Sequence, residues 1–329
     1  MKDKSSYLLS CWPDGYSRYY SVVNILKIVF ELKIDILDVG GDSEWMSKFL
    51  DSYNLEYSLN IVDTREPDFK NIDPRITYTK KDFFELSLDN KNLPDAVINT
   101  DVLEHIPAKD KVRFINKCIE SARSLAIISA PHEDNDVTFF EKEIENKYIK
   151  YKNESQYWLR EHFEFGKPEA RIIEDVLKKQ KLSYIVVDTN NLKNWYITFS
   201  LNFINSELVG LKGMDELNRF YNQNIHSVGD FSDKPYRKIF IIFKNTELFK
   251  EKQAEITVFF GANNLNNNIF ISRTFDLITS NFDRLNKELN KKSQELNKKV
   301  NKVSLLQNEL NAIKNGKPYR YAKKIKKLI

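Results

Sequence analysis

The sequence predicts an α/β fold: a mostly parallel sheet with helices on both faces, followed by a C-terminal helical coiled coil. Three observations carry this. A short apolar run, Ile34 to Val39, feeds directly into Gly40 and Gly41 and then into a helical pattern. Strand-length apolar runs alternate with helical segments over roughly the first 190 residues, with polar residues closing the runs. From Phe275 onward, apolar residues recur every seven positions. Strands alternating with helices give parallel sheets buried on both faces, and a seven-residue apolar repeat gives a helix with a seam.

Composition supports one sizeable domain with an appendage. Of 329 residues, 41% are apolar, enough for a core, and 30% are charged, which implies long solvated faces. Two cysteines, Cys11 and Cys118, make no disulfide framework and fit a reducing compartment. Pro13 and Asp14 interrupt the start too early for a secretory signal, and no run of about 18 apolar residues occurs. A cytoplasmic protein is therefore expected. The net charge of +4 is uneven: residues 284–329 hold 14 Lys and Arg against three Glu, so the remainder is mildly acidic.

Residues 14–32 read as a helix capped by Asp14 or Ser17, with Val22, Val23, Leu26, Val29 and Phe30 at helical spacing. Asp38 then stands at the end of the first strand, where a carboxylate can accept a hydrogen bond from a polar ligand. Gly40 and Gly41 let the backbone turn sharply and approach a ligand, although two adjacent glycines also suit an ordinary strand-to-helix turn. A second strand, Tyr57 to Val62, ends in Asp63, at the position from which an acid binds ribose hydroxyls in nucleotide-binding sheets. Asp82 and Phe83 follow a third strand, Ile76 to Thr79, an acid and an aromatic suited to an adenine amino group and ring. The fourth strand, LPDAVIN (93–99), runs into TDVLEHIP (100–107). A helix over 109–122 leads to the fifth, SLAIISAPH (124–132). Asp38, Asp63, Asp82, Asn99 and His132 all lie at or just past carboxyl ends of strands, where ligands of such sheets sit.

In this order and spacing, ILDVGGDSEWMSKFL, VDTRE, KDFF, LPDAVINTDVLEHIP and LAIISAPH resemble class I S-adenosylmethionine-dependent methyltransferases, over residues 14 to about 190. VLEHIP is the most specific part. The resemblance implies a Rossmann-like, mostly parallel seven-stranded sheet and S-adenosylmethionine as cofactor. It places Asp38, Gly40 and Gly41 beside the methionine, Asp63 on the ribose, Asp82 and Phe83 at the adenine, and Asn99 at the backbone edge of the pocket. Asp42 and Glu44 depart from it, standing where the family usually has glycine. QYWLREHFEFGKPEARII (156–173) resembles a segment of methyltransferases encoded with cell-surface polysaccharide enzymes, which implies O-methylation of a sugar or glycan acceptor.

After a helix over 169–179, strands are expected at 184–188 and, as the antiparallel return, at 236–243. The intervening 190–235 read as a mostly helical insert over the acceptor pocket. Residues 256–260 look strand-like, and the methyltransferase domain is expected to span 1–273. A sugar hydroxyl calls for a general base: the candidates are His105, His132, at a strand end, and His162, which Glu161 could orient. His105, inside VLEHIP, reads as packing beneath the cofactor. With no HxxxH or CxxC, no metal site is expected. The lack of GxGxxG argues against a nicotinamide dehydrogenase, leaving a catalytically inactive, methyltransferase-like scaffold as the alternative.

In the tail, Phe275, Phe282, Leu289, Leu296, Val303 and Leu310 form one seam. Ile278, Leu285, Leu306 and Ile313 form a second, interrupted by Lys292 and Lys299. Residues 274–315 therefore read as a coiled coil that makes a homo-oligomer through 275–313. Gly316 and Pro318 stop the helix. The basic amphipathic segment 316–329, with six Lys and Arg, fits an anionic membrane surface at the inner face. No nucleic-acid partner is expected.

Overall fold

The computed structural model describes residues 4–41, 45–66, 73–89, 91–207, 210–231, 234–261 and 268–316. Asp42 and Glu44, and the basic segment 317–329, lie outside them. The chain divides into two units, Met1–Ile271 and Ser272–Ile329.

The first unit begins with α1 (Lys4–Leu9) and α2 (Pro13–Val29), then β1 (Ile34–Val39), α3 (Trp45–Ser52), β2 (Tyr57–Asp63) and β3 (Ile76–Lys80). β4 (Ala96–Thr100), α4 (Ala108–Ser121), β5 (Leu125–Pro131), α5 (Asn135–Lys152), α6 (Tyr157–Phe165) and α7 (Ala170–Gln180) follow. Then come β6 (Ser183–Asn191), α8 (Leu192–Glu207), α9 (Met214–Tyr221), α10 (Ser227–Gly229), β7 (Pro235–Phe243) and α11 (Thr246–Phe259). The sheet order is β3-β2-β1-β4-β5-β7-β6. Pairs among β1 to β5 are parallel, and β7 runs antiparallel to both β5 and β6. This is the Rossmann-like methyltransferase fold. After β3 the chain crosses back to lay β4 on the other side of β1, so the sheet has its switch point there. A crevice opens at such a point outside the carboxyl ends of the strands.

The strands are continuous apolar runs because both faces are covered. In β1, Ile34 and Ile36 pack into the core on the α2, α3 and α11 side, while Leu37 and Val39 pack into the core beneath α4 and α7. Every residue of β5 is buried. α2 starts with Pro13 in its first turn, where the missing N–H costs nothing, and it is buried on most sides.

Residues 256–260 are not a strand. They close α11, whose start Asn245 caps by accepting from the N–H groups of Glu247 and Leu248. Ile256 is wholly buried in the core on the α2 side. The β-branched run Ile256–Val258 favours strand locally, but a helical period through Leu248, Phe249, Ile256 and Phe259 places the apolar side chains in that core, and packing overrides propensity. Between β6 and β7 the described residues are mostly helical, in α8, α9 and α10.

α12 (Asn268–Asn315) is one 48-residue helix that continues into the second unit. Phe275, Phe282, Leu289, Leu296, Val303 and Leu310 are all exposed along it. Among the described residues, no helix is long and apolar enough to cross a membrane.

Candidate active site

The turn after β1 is shaped by two contacts that only glycine permits. Gly40 has φ +73°, and a Cβ there would stand 2.3 Å from Val102 Cγ2. A Cβ on Gly41 would stand 2.0 Å from Asp38 Oδ2. Asp38, fully buried, thus packs its carboxylate against the turn. Beside the turn, a cavity of about 600 Å³ lies at the carboxyl ends of β1 to β4. Gly40, Asp63, Asp82, Phe83, His105 and Glu161 are among its walls.

Asp63 lines this cavity and accepts from Arg65: the backbone N–H at 2.7 Å, Nε at 3.0 Å and Nη2 at 2.8 Å. Burial opposes its charge, but Arg65 outweighs burial and holds the carboxyl below its usual range. Asp82 caps a short 3₁₀ turn, accepting from Phe84 N–H at 2.8 Å, and so points Phe83 inward against Phe114.

A second cavity, of about 340 Å³, adjoins the first. The two share Arg18, Asp101, His105 and Trp158. Trp195 and Phe199, both from α8 in the insert, and Tyr236 add an aromatic wall to the second. Between β4 and α4, Asp101 takes a left-handed φ of +53°. Its carboxylate is held by the buried Arg237, with Nε–Oδ1 at 2.7 Å. A 3₁₀ turn, Leu103–His105, follows. Lys111 Nζ donates to the Leu103 and Ile106 carbonyls at 2.7 Å each, clamping that turn to α4. Burial lowers this ammonium to about 8.

The turn and α6 meet at the wall shared by the cavities. His105 Nδ1 lies 2.8 Å from Glu161 Oε2. The His162 ring stands 5.0 Å from the His105 ring, and its Nδ1 lies 2.9 Å from Glu141 Oε1. Its Nε2 lies 3.9 Å from Glu104 Oε1. Glu104 is fully buried, and neither of its oxygens has a hydrogen-bond partner among the described residues. Burial, reinforced by Asp101, pushes the Glu104 carboxyl well above its ordinary range. Burial, with His162 beside it, lowers His105.

The expected site residues separate into three groups. Gly40, Asp63, Asp82 and Phe83 come together on the larger cavity. Asp38 and Asn99 lie beneath it, fully buried; Asn99 donates to the Val39 carbonyl at 3.2 Å and braces the turn rather than lining the pocket. His132 lines neither cavity. Glu161 does not orient His162. Consecutive residues of a helix point about 100° apart, so Glu161 turns to His105 while His162 turns to Glu141. His105, read from the sequence as packing, stands on both cavities. Glu104 and Glu141 escaped sequence reasoning altogether: Glu141 carries no local signal, and Glu104 was hidden within VLEHIP. No HxxxH spacing announces the cluster, because its members come from a turn and a distant helix.

No family model matches the chain, and no curated protein matches it in sequence. Weak likenesses to solved structures exist. Magnesium protoporphyrin IX methyltransferase of Synechocystis PCC 6803, with bound SAH, is 14% identical, with 70% of this chain and 84% of that one covered and a TM-score of 0.40. A SAM-dependent methyltransferase of Archaeoglobus fulgidus is 16% identical, covering 69% and 94%, with a TM-score of 0.41. Phosphoethanolamine N-methyltransferase 2 of Haemonchus contortus, in complex with S-adenosyl-L-methionine, is 14% identical, covering 69% of this chain and 52% of that one, with a TM-score of 0.45. The fold itself is established by the strand order and the antiparallel β7.

Proposed function

We propose that this chain is an S-adenosylmethionine-dependent methyltransferase that O-methylates a sugar hydroxyl of a surface glycan. The observation that carries the reading is the pair of joined cavities at the switch point of the sheet, the larger with Asp63, Asp82 and Phe83 on its walls. These residues fit the cofactor: a carboxylate for the ribose hydroxyls, a ring and an acid for the adenine, and Gly40 of the glycine turn on the cavity wall. When bound, the cofactor supplies a methyl group already activated for transfer.

The chain's own residues place the acceptor and take its proton. The aromatic wall of the smaller cavity, with Asp14, Glu104 and Gln156 as polar partners, suits a polyhydroxy acceptor. Its proton is removed at the histidine cluster between the cavities, with His162 braced by Glu141 and His105 by Glu161. The glycan class comes from the resemblance of residues 156–173.

Calorimetric titration with S-adenosylhomocysteine tests the reading. Wild type should bind, and Asp63→Ala should bind at least about tenfold more weakly, since a charged hydrogen bond contributes about 1.5–3 kcal/mol. No binding at millimolar ligand would leave the inactive scaffold.

For the second unit, we infer a parallel coiled coil through 275–313; the exposed seven-residue stripe supports it. Such an oligomer would gather the basic segments 317–329 on one side, where several weak attractions to anionic lipid add.

A further inference from the structure

We propose that Glu104, His105 and His162 form a binding site for one first-row divalent transition ion, of the class of Zn²⁺ or Mn²⁺. One oxygen or nitrogen atom of each lies within 4.8 Å of the others. Two further observations point to a cation. Glu104 is fully buried, and neither carboxylate oxygen has a hydrogen-bond partner among the described residues, whereas buried carboxylates ordinarily do. His162 Nδ1 is hydrogen-bonded to Glu141 Oε1 at 2.9 Å, while His105 Nδ1 lies 2.8 Å from Glu161 Oε2, within ion-pair distance but not aligned as a hydrogen bond. For His162 that leaves Nε2, which faces Glu104, as the donor to the cluster. It is the arrangement by which metal-ligating histidines are oriented and made more basic.

The donor set selects the ion. Two imidazoles and one carboxylate suit Zn²⁺ and its first-row neighbours, with coordination positions left open. Ca²⁺ and Mg²⁺ prefer all-oxygen sets. Bonds of about 2.0–2.2 Å put tetrahedral donors about 3.4 Å apart, and His162 Nε2 and Glu104 Oε1 stand at 3.9 Å. Small side-chain rotations close that gap.

All three residues line the smaller cavity, so an open position would face whatever that cavity holds. Resting on the reading of this cavity as the acceptor's, the ion would take over the part the free imidazoles play as base: held by both histidines, it would lower the pKa of the acceptor hydroxyl, and the proton would leave to water. The oxygen would then form its bond to the methyl carbon as the carbon–sulfur bond breaks and its electron pair stays on sulfur.

The test is metal binding by the full chain, stripped with chelator and then titrated with Co²⁺ by visible absorption and with Zn²⁺ by calorimetry, with no cofactor present. One ion per chain is expected. Glu104→Gln, His105→Asn and His162→Asn should each weaken binding at least tenfold, and Glu161→Gln by about 10- to 100-fold. His132→Asn should bind as wild type does. Circular dichroism checks that each variant is folded; should the buried Glu104 or His162 variants fail, the partly exposed His105 and Glu161 variants carry the test. Substoichiometric binding by wild type, or equal binding by wild type, His105→Asn and Glu161→Gln, overturns the proposal. Because the cofactor is absent, this outcome stands apart from the S-adenosylhomocysteine titration.

Discussion

His162 Nδ1 lies 2.9 Å from Glu141 Oε1, and both side chains are buried. The same carboxylate accepts from Lys167 Nζ at 2.9 Å and from the Tyr236 hydroxyl at 3.0 Å. One buried anion on α5 therefore ties α6, the start of the α7 connection and β7 together. Removing one partner of a buried ion pair leaves the other uncompensated. Glu141→Ala should lower unfolding free energy by about 3–5 kcal/mol, measured by urea denaturation. A loss under about 1 kcal/mol would mean that water takes over the role of the carboxylate.

Gly41→Ala should damage the cofactor end of the site. Its Cβ would meet the Asp38 carboxyl at 2.0 Å, and Asp38 is fully buried with little room to move. Overpacking of this kind costs about 1–3 kcal/mol. A lowered melting temperature and loss of S-adenosylhomocysteine affinity are expected together.

Acid should weaken the fold through Asp14. Burial opposes its charge, but Arg18 and Arg237 outweigh burial, and the carboxyl titrates at about 2 instead of 3.8. A pKa depressed by folding contributes stability that is complete above the unfolded value. That contribution disappears as pH falls through the folded value. The window is therefore roughly pH 4 to 2, and the difference is about 2 kcal/mol. Denaturation curves for Asp14→Asn should show lower stability at neutral pH and a flatter fall across that window than wild type.

His162→Ala should lower the methylation rate by about 100-fold or more, and by more than His132→Ala does. His162 lines the smaller cavity, and His132 lines neither. Rates on a sugar acceptor, with S-adenosylhomocysteine affinity measured in parallel, decide this. A larger effect from His132→Ala would move the chemistry to the end of β5.

Leu296→Pro should reduce the oligomer size seen by sedimentation, since proline in a helix interior costs about 3 kcal/mol or more. It should also weaken salt-sensitive binding to anionic vesicles, which depends on several basic ends acting together. A monomeric wild type that ignores such vesicles would remove this account of the tail.

The alternation of strands and helices, the glycine turn with Asp63 at the next strand end, and the seven-residue stripe of α12 were legible in the sequence. Each is a local periodicity or a local backbone demand, written in residues a few positions apart. Local reading failed at Ile256–Phe260, where β-branched residues favoured a strand and a buried helical face prevailed. It also paired Glu161 with His162, although neighbours on a helix point apart. The convergence of Glu104, His105, His162, Glu141 and Glu161 was decided by tertiary structure alone. Their side chains meet because the β4–α4 turn, α5 and α6 pack over the carboxyl end of the sheet, and contacts between segments so far apart in the chain leave no period in the sequence.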